Sequence, residues 1–208
     1  MPAFPPISLA SRASQKPSGD LAIRELLKHH LLSAHAGVAT VFLDELGLCQ
    51  GDVRVDVAAL NGELAGFEIK SPADGLARWP KQCRIYSKVV DRAWLVAPEK
   101  TLEAAKAPDW WGLIRIVETQ DRLGLRVVRE AGPNPTPDAY SIACLLWRDE
   151  AIAALEEFGL DRGVRTKRRK LIWQRLADQL PLDDLRRAVR GALKVRTSRI
   201  EELHAAGR

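Results

Sequence analysis

Apolar and polar residues alternate along two short segments of the chain that are joined through the dipeptide Asn61-Gly62. Apolar side chains recur at every second position in residues 54–60, and residues 64–70 repeat the pattern. A period of two residues is typical of a β-strand, and Asn-Gly is a strong signal for a hairpin turn. We therefore predict a β-hairpin here, around which the rest of the fold is organised.

The two apolar faces of this hairpin must coincide, because a slip of one residue would turn one set of side chains to solvent. A two-residue turn would place Asp56 opposite Phe67, which would mix polar and apolar side chains on one face of the hairpin. A three-residue loop over residues 61–63 instead places Asp56 opposite Glu68 and gathers the apolar side chains on one face. That face then contains Val55, Val57, Phe67 and Ile69. We predict this register, with an odd loop or a bulge.

Hydrophobic periods and turn residues divide the rest of the chain into helices and strands. Residues 1–19, rich in proline and serine, are predicted to be a flexible tail, and residues 131–140 a proline-rich linker. Between them the predicted elements are a helix over 21–34 capped by Asp20, a strand over 38–43, the hairpin, a helix opened by Pro80, a buried strand over 93–97, a helix over 99–107, and strands over 113–117 and 125–129. Beyond the linker they are helices over 141–158, over 166–180 with Thr166 as cap, and from about 183 to 195. The prediction is an α/β core over 20–130 and a helical C-terminal subdomain over 141–208.

Composition narrows the class of protein. Hydrophobic residues make up 46% of the 208-residue chain, which is ample for a folded core. No run of about 18 apolar residues exists, so we expect no membrane span, and the first residues lack the apolar segment of a secretory signal. The three cysteines have no zinc-ligand spacing and are odd in number. Reduced thiols in a cytoplasmic protein are the simplest interpretation.

The net charge of +5 is unevenly distributed. From residue 161 onward lysine and arginine outnumber aspartate and glutamate, whereas the preceding residues carry a small acidic excess. Basic helices can contact the phosphates of a nucleic acid, or they can simply present a solvated face. The candidate phosphate contacts are Arg78, Lys167, Arg168, Arg169, Lys170, Arg186, Arg187 and Arg190. A nucleic acid is therefore the expected partner.

The hairpin also carries residues with catalytic potential. Asp56 and Glu68 supply the carboxylate oxygens that Mg²⁺ prefers, and a bound cation activates water and stabilises charge on a phosphate. Lys70 can steer the attacking water or neutralise the phosphate. On the following helix, Gln82 and Tyr86 are four residues apart and therefore share one face. They could support the carboxylates or a phosphate, or form a polar helix edge.

This ordered set resembles the PD-(D/E)XK superfamily of restriction-endonuclease-like nucleases. The segments RVDVAALNGELAGFEIKS, QCRIYSKVVDRAWLV, WWGL and LLWRDEA also resemble a bacterial family of hypothetical proteins assigned to that superfamily, over roughly residues 20–195. One departure is that Val55, not proline, precedes Asp56. The resemblance implies an α-β-β-β-α-β core with a mixed central sheet flanked by helices. It also implies a supporting role for Glu25 on the first helix, although a surface glutamate paired with Lys28 or His29 is an equal alternative.

The predicted function is Mg²⁺-dependent hydrolysis of phosphodiester bonds in DNA by an endonuclease-type enzyme, with Mn²⁺ as a substitute. Asp56 and Glu68 are the expected metal ligands. Lys70, Gln82, Tyr86 and Glu25 complete the expected catalytic set. The alternative is a non-catalytic nucleic-acid-binding protein that keeps a nuclease-like fold. RNA stays an alternative to DNA, a homodimer stays open, and no membrane partner is expected.

Overall fold

A computed structural model describes residues 20–34, 39–71, 73–119 and 123–206. The predicted tail over 1–19 lies outside these residues. In chain order the elements are α1 (Asp20–Ala34), β1 (Val41–Leu48), a 3₁₀ turn (Cys49–Gly51), β2 (Val53–Leu60), β3 (Leu64–Ile69), α2 (Trp79–Val89), β4 (Arg92–Ala97), α3 (Glu99–Ala105), β5 (Gly112–Glu118), β6 (Leu123–Arg129), α4 (Ala139–Ala143), α5 (Arg148–Glu157), α6 (Arg169–Gln179) and α7 (Leu182–Ala206).

The six strands form one mixed sheet in the order β1-β2-β3-β4-β5-β6. Strands β3, β4 and β5 run parallel, whereas the remaining neighbours are antiparallel. Parallel neighbours need a crossover connection, and α2 and α3 provide the two that this sheet requires. The predicted α/β class, a mixed sheet flanked by helices and followed by a helical C-terminal region, is therefore confirmed.

The register predicted for the hairpin is confirmed where its strands pair. Leu60 lies opposite Leu64, and Val57 lies opposite Phe67. The ladder ends there, because the Asp56 carboxylate, through Oδ2, accepts the backbone N–H of Ile69 at 2.7 Å. Beyond this point β2 and β3 separate, and the gap between them opens into the cavity described below.

The prediction that Val55 shares a face with Val57 is wrong. Val57 packs in the core under α1, whereas Val55 packs in the core on the opposite side of the sheet. The change of face occurs at Asp56. The residue opposite Asp56 on β1 is Glu45, which has a φ of 54°. A left-handed backbone at this position twists the β1–β2 ribbon, so that the side chains beyond it turn to the other core.

Helices cover both faces of the sheet. On one face, α1 packs Leu27 and Leu31 against Phe67 and Trp94. On the other face, α2 and the C-terminal helices form a continuous hydrophobic cluster with the strands, to which Trp111, Trp173 and Leu193 belong. The C-terminal helices are therefore joined to the sheet by a common apolar core.

Four elements differ from the sequence prediction by three residues or more. Strand β1 extends to Leu48 because it pairs with β2 along its whole length. The helix predicted over 141–158 is interrupted at residues 144–147, where the N–H of Trp147 donates to the Glu150 carboxylate and begins α5. Helix α6 begins at Arg169 rather than after Thr166. Helix α7 continues to Ala206 rather than ending near 195, and Arg196 on it reaches back to Glu150.

The predicted linker is held against the sheet, and α4 begins inside it at Ala139. Asn134 is buried, and its side-chain amide donates to the carbonyls of Ser87 and Val90 at 2.8 and 2.7 Å. These bonds satisfy carbonyl groups at the end of α2, so the linker serves as a cap on the α2–β4 turn.

The three cysteines, Cys49, Cys83 and Cys144, are free thiols. Among the described helices, none combines the length and the apolar character that crossing a membrane requires.

Candidate active site

The site begins with Asp56 at the point where β2 and β3 separate. Its side chain is 19% exposed, and one carboxylate oxygen is held by the N–H of Ile69. The other oxygen lies 3.3 Å from the guanidinium of Arg24 on α1, which also donates to the Asp56 carbonyl at 3.2 Å. Strand pairing and α1 together fix the orientation of this carboxylate.

Glu68 and Lys70 lie two residues apart on β3 and therefore point to the same face of the sheet. They are only 1% and 3% exposed, and Lys70 Nζ lies 2.7 Å from Glu68 Oε1. From α2, the Gln82 amide donates to the same oxygen, and the Tyr86 hydroxyl donates to Oε2 at 2.7 Å. A buried carboxylate needs such partners, because burying an unpaired charge is strongly unfavourable.

These side chains converge on a cavity of about 520 Å³. Asp56, Glu68, Lys70, Gln82 and Arg78 line it, while Tyr86 lies behind Glu68, fully buried. Sequence reasoning missed the other charged residues at the cavity. They are Arg54 and Lys81 among the basic residues and Asp20, Glu45, Asp52 and Asp74 among the acidic ones.

Electrostatics separates the roles of the titratable groups. Burial, together with the negative charge of Glu68, raises the pKa of Asp56 to about 7, although the Ile69 N–H and Arg24 act in the opposite direction. Burial and the neighbouring Glu68 also raise the pKa of Tyr86 well above its ordinary value. Tyr86 therefore remains a hydroxyl donor at every physiological pH, whereas Asp56 exchanges its proton near neutrality.

Arg24 is a positioning residue that the sequence analysis did not select. Its Nη2 lies 2.6 Å from Glu45, 2.9 Å from Asp20 and 3.3 Å from Asp56. The i,i+4 spacing from Asp20 is visible in the sequence, but the approach to Asp56 spans 32 positions and depends on how α1 packs on the sheet.

Replacing Arg24 by glutamine is expected to raise the pKa of Asp56 further, because a cation that favours the ionised carboxylate is lost. NMR titration of the carboxyl carbon of Asp56 without divalent cations would measure this shift. Lys28→Gln is the matched control. Lys28 also lies on α1, but it pairs with Asp44 of β1 and not with Asp56. An unchanged Asp56 pKa in Arg24→Gln would contradict the role given to Arg24.

The structure does not bring Glu25 to the cavity. Its side chain is 77% exposed and lies 3.5 Å from Lys28, which is the surface alternative considered for it. The acidic residues that α1 and β1 contribute to the cavity are Asp20 and Glu45 instead.

The basic residues of the C-terminal helices divide into two groups. Arg186 and Arg190 lie 2.8 and 3.6 Å from Asp91, and Arg187 lies 2.6 Å from Asp184. Arg186 and Arg190 are thereby engaged, half-buried, at the start of β4, whereas Arg187 pairs within α7 and stays 59% exposed. The residues at the start of α6 are also exposed, namely Lys167, Arg168, Arg169 and Lys170.

The oxygen groups at the cavity are of the type that a hard divalent cation prefers. No cluster of three or more histidine, cysteine, aspartate or glutamate side chains with metal-ligand geometry occurs in the described residues. Mg²⁺, however, is commonly held by one or two carboxylates and keeps several waters. A strand residue directs its N–H and C=O to the same side, so the Ile69 carbonyl faces the gap that contains Asp56. Asp56, Glu68 and this carbonyl together offer three oxygen donors.

Comparison with known proteins gives a family and one structural neighbour. The family model described as bacteriophage P4 protein cII matches residues 20–205. A solved structure, a protein of unknown function from Silicibacter pomeroyi, is 28% identical with a TM-score of 0.36. That match covers 49% of this chain and 64% of the other. No curated protein matches the chain.

Proposed function

We propose that this protein, which belongs to the bacteriophage P4 protein cII family, is a metal-dependent nuclease that hydrolyses phosphodiester bonds in DNA. The observation that carries the proposal is the convergence of Asp56, Glu68 and Lys70 on one cavity. The element order α1-β1-β2-β3-α2-β4 also supports a restriction-endonuclease-like core, because it reproduces the order that the resemblance implies.

Asp56, Glu68 and the Ile69 carbonyl would hold the cation. When bound, Mg²⁺ or Mn²⁺ lowers the pKa of a coordinated water and stabilises the negative charge that develops on the scissile phosphate. Because Asp56 has a pKa of about 7, cation binding competes with its proton. Metal affinity should therefore rise as the pH increases through neutrality.

The other residues of the site orient Glu68 and neutralise the charge of the phosphate. Lys70 brings a positive charge to the wall of the cavity beside Glu68, where it can contact the phosphate or the attacking water. Gln82 and Tyr86 fix the orientation of Glu68 by donating to both of its oxygens. Gln82 Oε1 is buried without a hydrogen-bond partner among the described residues, so it can accept a hydrogen bond from water.

The positive charges at the rim of the cavity favour a polyanionic substrate. Arg54, Arg78 and Lys81 reach it from β2 and from the start of α2. Cations from two elements on one rim can contact successive phosphates of a strand, and such contacts position nucleic acid without reading its sequence.

Cleavage assays on single-stranded, duplex, nicked and branched DNA, and on RNA, with Mg²⁺ or Mn²⁺, test the proposal. We expect metal-dependent cleavage by the wild type and its loss in Asp56→Asn and Glu68→Gln. Glu25→Gln is the matched control, because it removes a carboxylate that is exposed and outside the cavity. Absence of cleavage by the wild type on every substrate would rule out the nuclease.

Divalent cations are also expected to raise the melting temperature of the wild type and of Glu25→Gln, but not of Asp56→Asn. A cation that binds only the folded state adds about 2.7 kcal/mol at a concentration of 100 times its Kd. Differential scanning calorimetry with and without Mg²⁺ or Mn²⁺ measures the shift. An equal shift in wild type and Asp56→Asn would place the cation elsewhere.

One feature of the same site favours the alternative, a non-catalytic nucleic-acid-binding protein. Both oxygens of Glu68 already accept hydrogen bonds from protein groups, as a purely structural buried carboxylate would. This alternative predicts nucleic-acid binding that is unchanged by Glu68→Gln and by chelators. The cleavage assay separates the two functions, because a binding protein has no chemical step to lose.

A further inference from the structure

A second feature that could bind a ligand is an exposed tryptophan at the start of α5. Trp147 is 58% exposed, which is unusual for the largest apolar side chain. The guanidinium of Arg196 stacks on its ring, 3.9 Å from the centroid. Arg196 is itself fixed by Glu150 and by the Leu145 carbonyl at 3.2 Å. One face of the indole is thus held in place, and the exposure leaves the other face open to solvent.

The basic start of α6 lies close to the chain segment that carries this tryptophan. Trp173 on α6 donates through its indole N–H to the carbonyl of Leu146, at 3.1 Å. Arg169 stacks over Trp173, 4.6 Å from the ring centroid. Arg148, which follows Trp147, donates to the carbonyl of Arg165. These contacts bring residues 165–170 close to the segment that contains Trp147, although about 20 positions separate them in the chain.

The charge that remains unmatched around Trp147 is positive. The nearby carboxylates are paired with arginines, Glu150 with Arg196, Asp149 with Arg148, and Glu156 and Asp161 with Arg165. By contrast, three exposed cations have no ion-pair partner in the described part of the chain. They are Lys167, Arg168 and Lys170.

We infer that Trp147 stacks on an unpaired nucleic-acid base while Lys167, Arg168 and Lys170 contact the adjoining phosphates. We call these four residues the Trp147 surface. An aromatic ring beside free cations is the combination that binds single strands, because every base offers a face for stacking. In a duplex those faces are covered by neighbouring bases, so the surface favours single strands. The inference does not depend on the chemistry at Asp56.

Binding of labelled single-stranded and duplex DNA of equal length tests this surface, measured by fluorescence anisotropy in EDTA so that no cleavage occurs. Trp147→Ala is expected to weaken single-strand binding by roughly 5- to 150-fold, the range that stacking on one base supplies, with duplex binding unchanged. Trp147→Phe should retain part of the affinity. Val128→Ala, which truncates another exposed apolar residue, on β6, is the matched control and should bind like the wild type.

The charged residues give a second measurement. Replacing Lys167, Arg168 and Lys170 together by serine should flatten the salt dependence of single-strand binding. Each lost contact should lower the log–log slope by about 0.7. Arg115→Gln is the matched control, since Arg115 on β5 is engaged with Glu99 away from this surface, and its slope should equal that of the wild type.

Three results would overturn the inference. Equal single-strand affinity of Trp147→Ala and wild type would remove the stacking role. An equal loss on single-stranded and duplex DNA would show that no unpaired base is recognised. A change of oligomeric state in Trp147→Ala, seen by light scattering without any change in DNA affinity, would make the surface a protein interface. Loss of cleavage in Asp56→Asn alters none of these outcomes, so failure of the nuclease and failure of this surface remain distinguishable.

Discussion

Replacing Lys70 by methionine is expected to lower the single-turnover rate of metal-dependent DNA cleavage by about 10²-fold or more. The Lys70 amine lies against Glu68 at the wall of the cavity, where charge develops during phosphodiester hydrolysis. DNA affinity should fall only slightly, because one lysine contributes little to the total number of phosphate contacts. Single-turnover kinetics and equilibrium binding in EDTA measure the two effects separately.

Two controls make this result interpretable. Lys28→Met removes a partly buried lysine that pairs with Asp44 outside the cavity, and it should cleave at the wild-type rate. Breaking the buried Lys70–Glu68 pair costs about 3–5 kcal/mol of folding stability, so chemical denaturation must show that the variant is folded under assay conditions. Lys70→Arg, which keeps the charge, should retain part of the rate. A folded Lys70→Met variant with the wild-type rate would exclude Lys70 from the chemistry.

The stability difference between wild type and Asp56→Asn is expected to change by about 4 kcal/mol between pH 4 and pH 9 in the absence of divalent cations. The folded pKa of Asp56 is about 7, above the ordinary aspartate value of 3.8, so the folded protein holds this proton more tightly than the unfolded chain does. The stability that the protonated carboxyl contributes is complete below pH 4. It is lost as the pH rises through 7, and asparagine cannot lose it.

Urea denaturation of both proteins across this pH range measures the effect as a difference, in which the titration of all other groups cancels to first order. The Arg24 ion pair forms only with the ionised carboxylate, so its effect is already contained in the folded pKa of Asp56 and adds no separate pH dependence. A stability difference that is constant from pH 4 to pH 9 would contradict the raised pKa. Repeating the series with Mg²⁺ should restore wild-type stability above pH 7, because the cation compensates the ionised carboxylate.

Deleting the basic C-terminal quarter of the chain would not test whether its positive charge contacts DNA. Trp173 and Leu193 belong to the same hydrophobic cluster as the sheet, so deleting residues 161–208 would expose that core. Loss of DNA binding by such a truncation would report unfolding rather than loss of phosphate contacts. Substitutions at exposed positions, such as Lys167 and Lys170, change charge without touching the core.

The sequence by itself determined the features that depend on near neighbours. The period of two residues and Asn61-Gly62 predicted the hairpin and its register, because a slip would expose an apolar face. The spacings of Glu68 with Lys70 and of Gln82 with Tyr86 predicted that each pair would share a face. Pro80 predicted the start of α2. Strand and helix geometry alone relates these residues, and that geometry can be read from the order of the residues.

Only the tertiary structure decided the features that join distant positions. The contact of Arg24 with Asp56 depends on how α1 packs on the sheet. The packing of Val55 in the second core depends on the backbone conformation of Glu45. Asp91 pairs with Arg186 and Arg190 of α7, and the contact of Trp173 with Leu146 brings the basic start of α6 close to the segment that contains Trp147. Local periodicity carries no information about such pairings, because their energies arise from burial and charge between elements that come together only when the chain is packed.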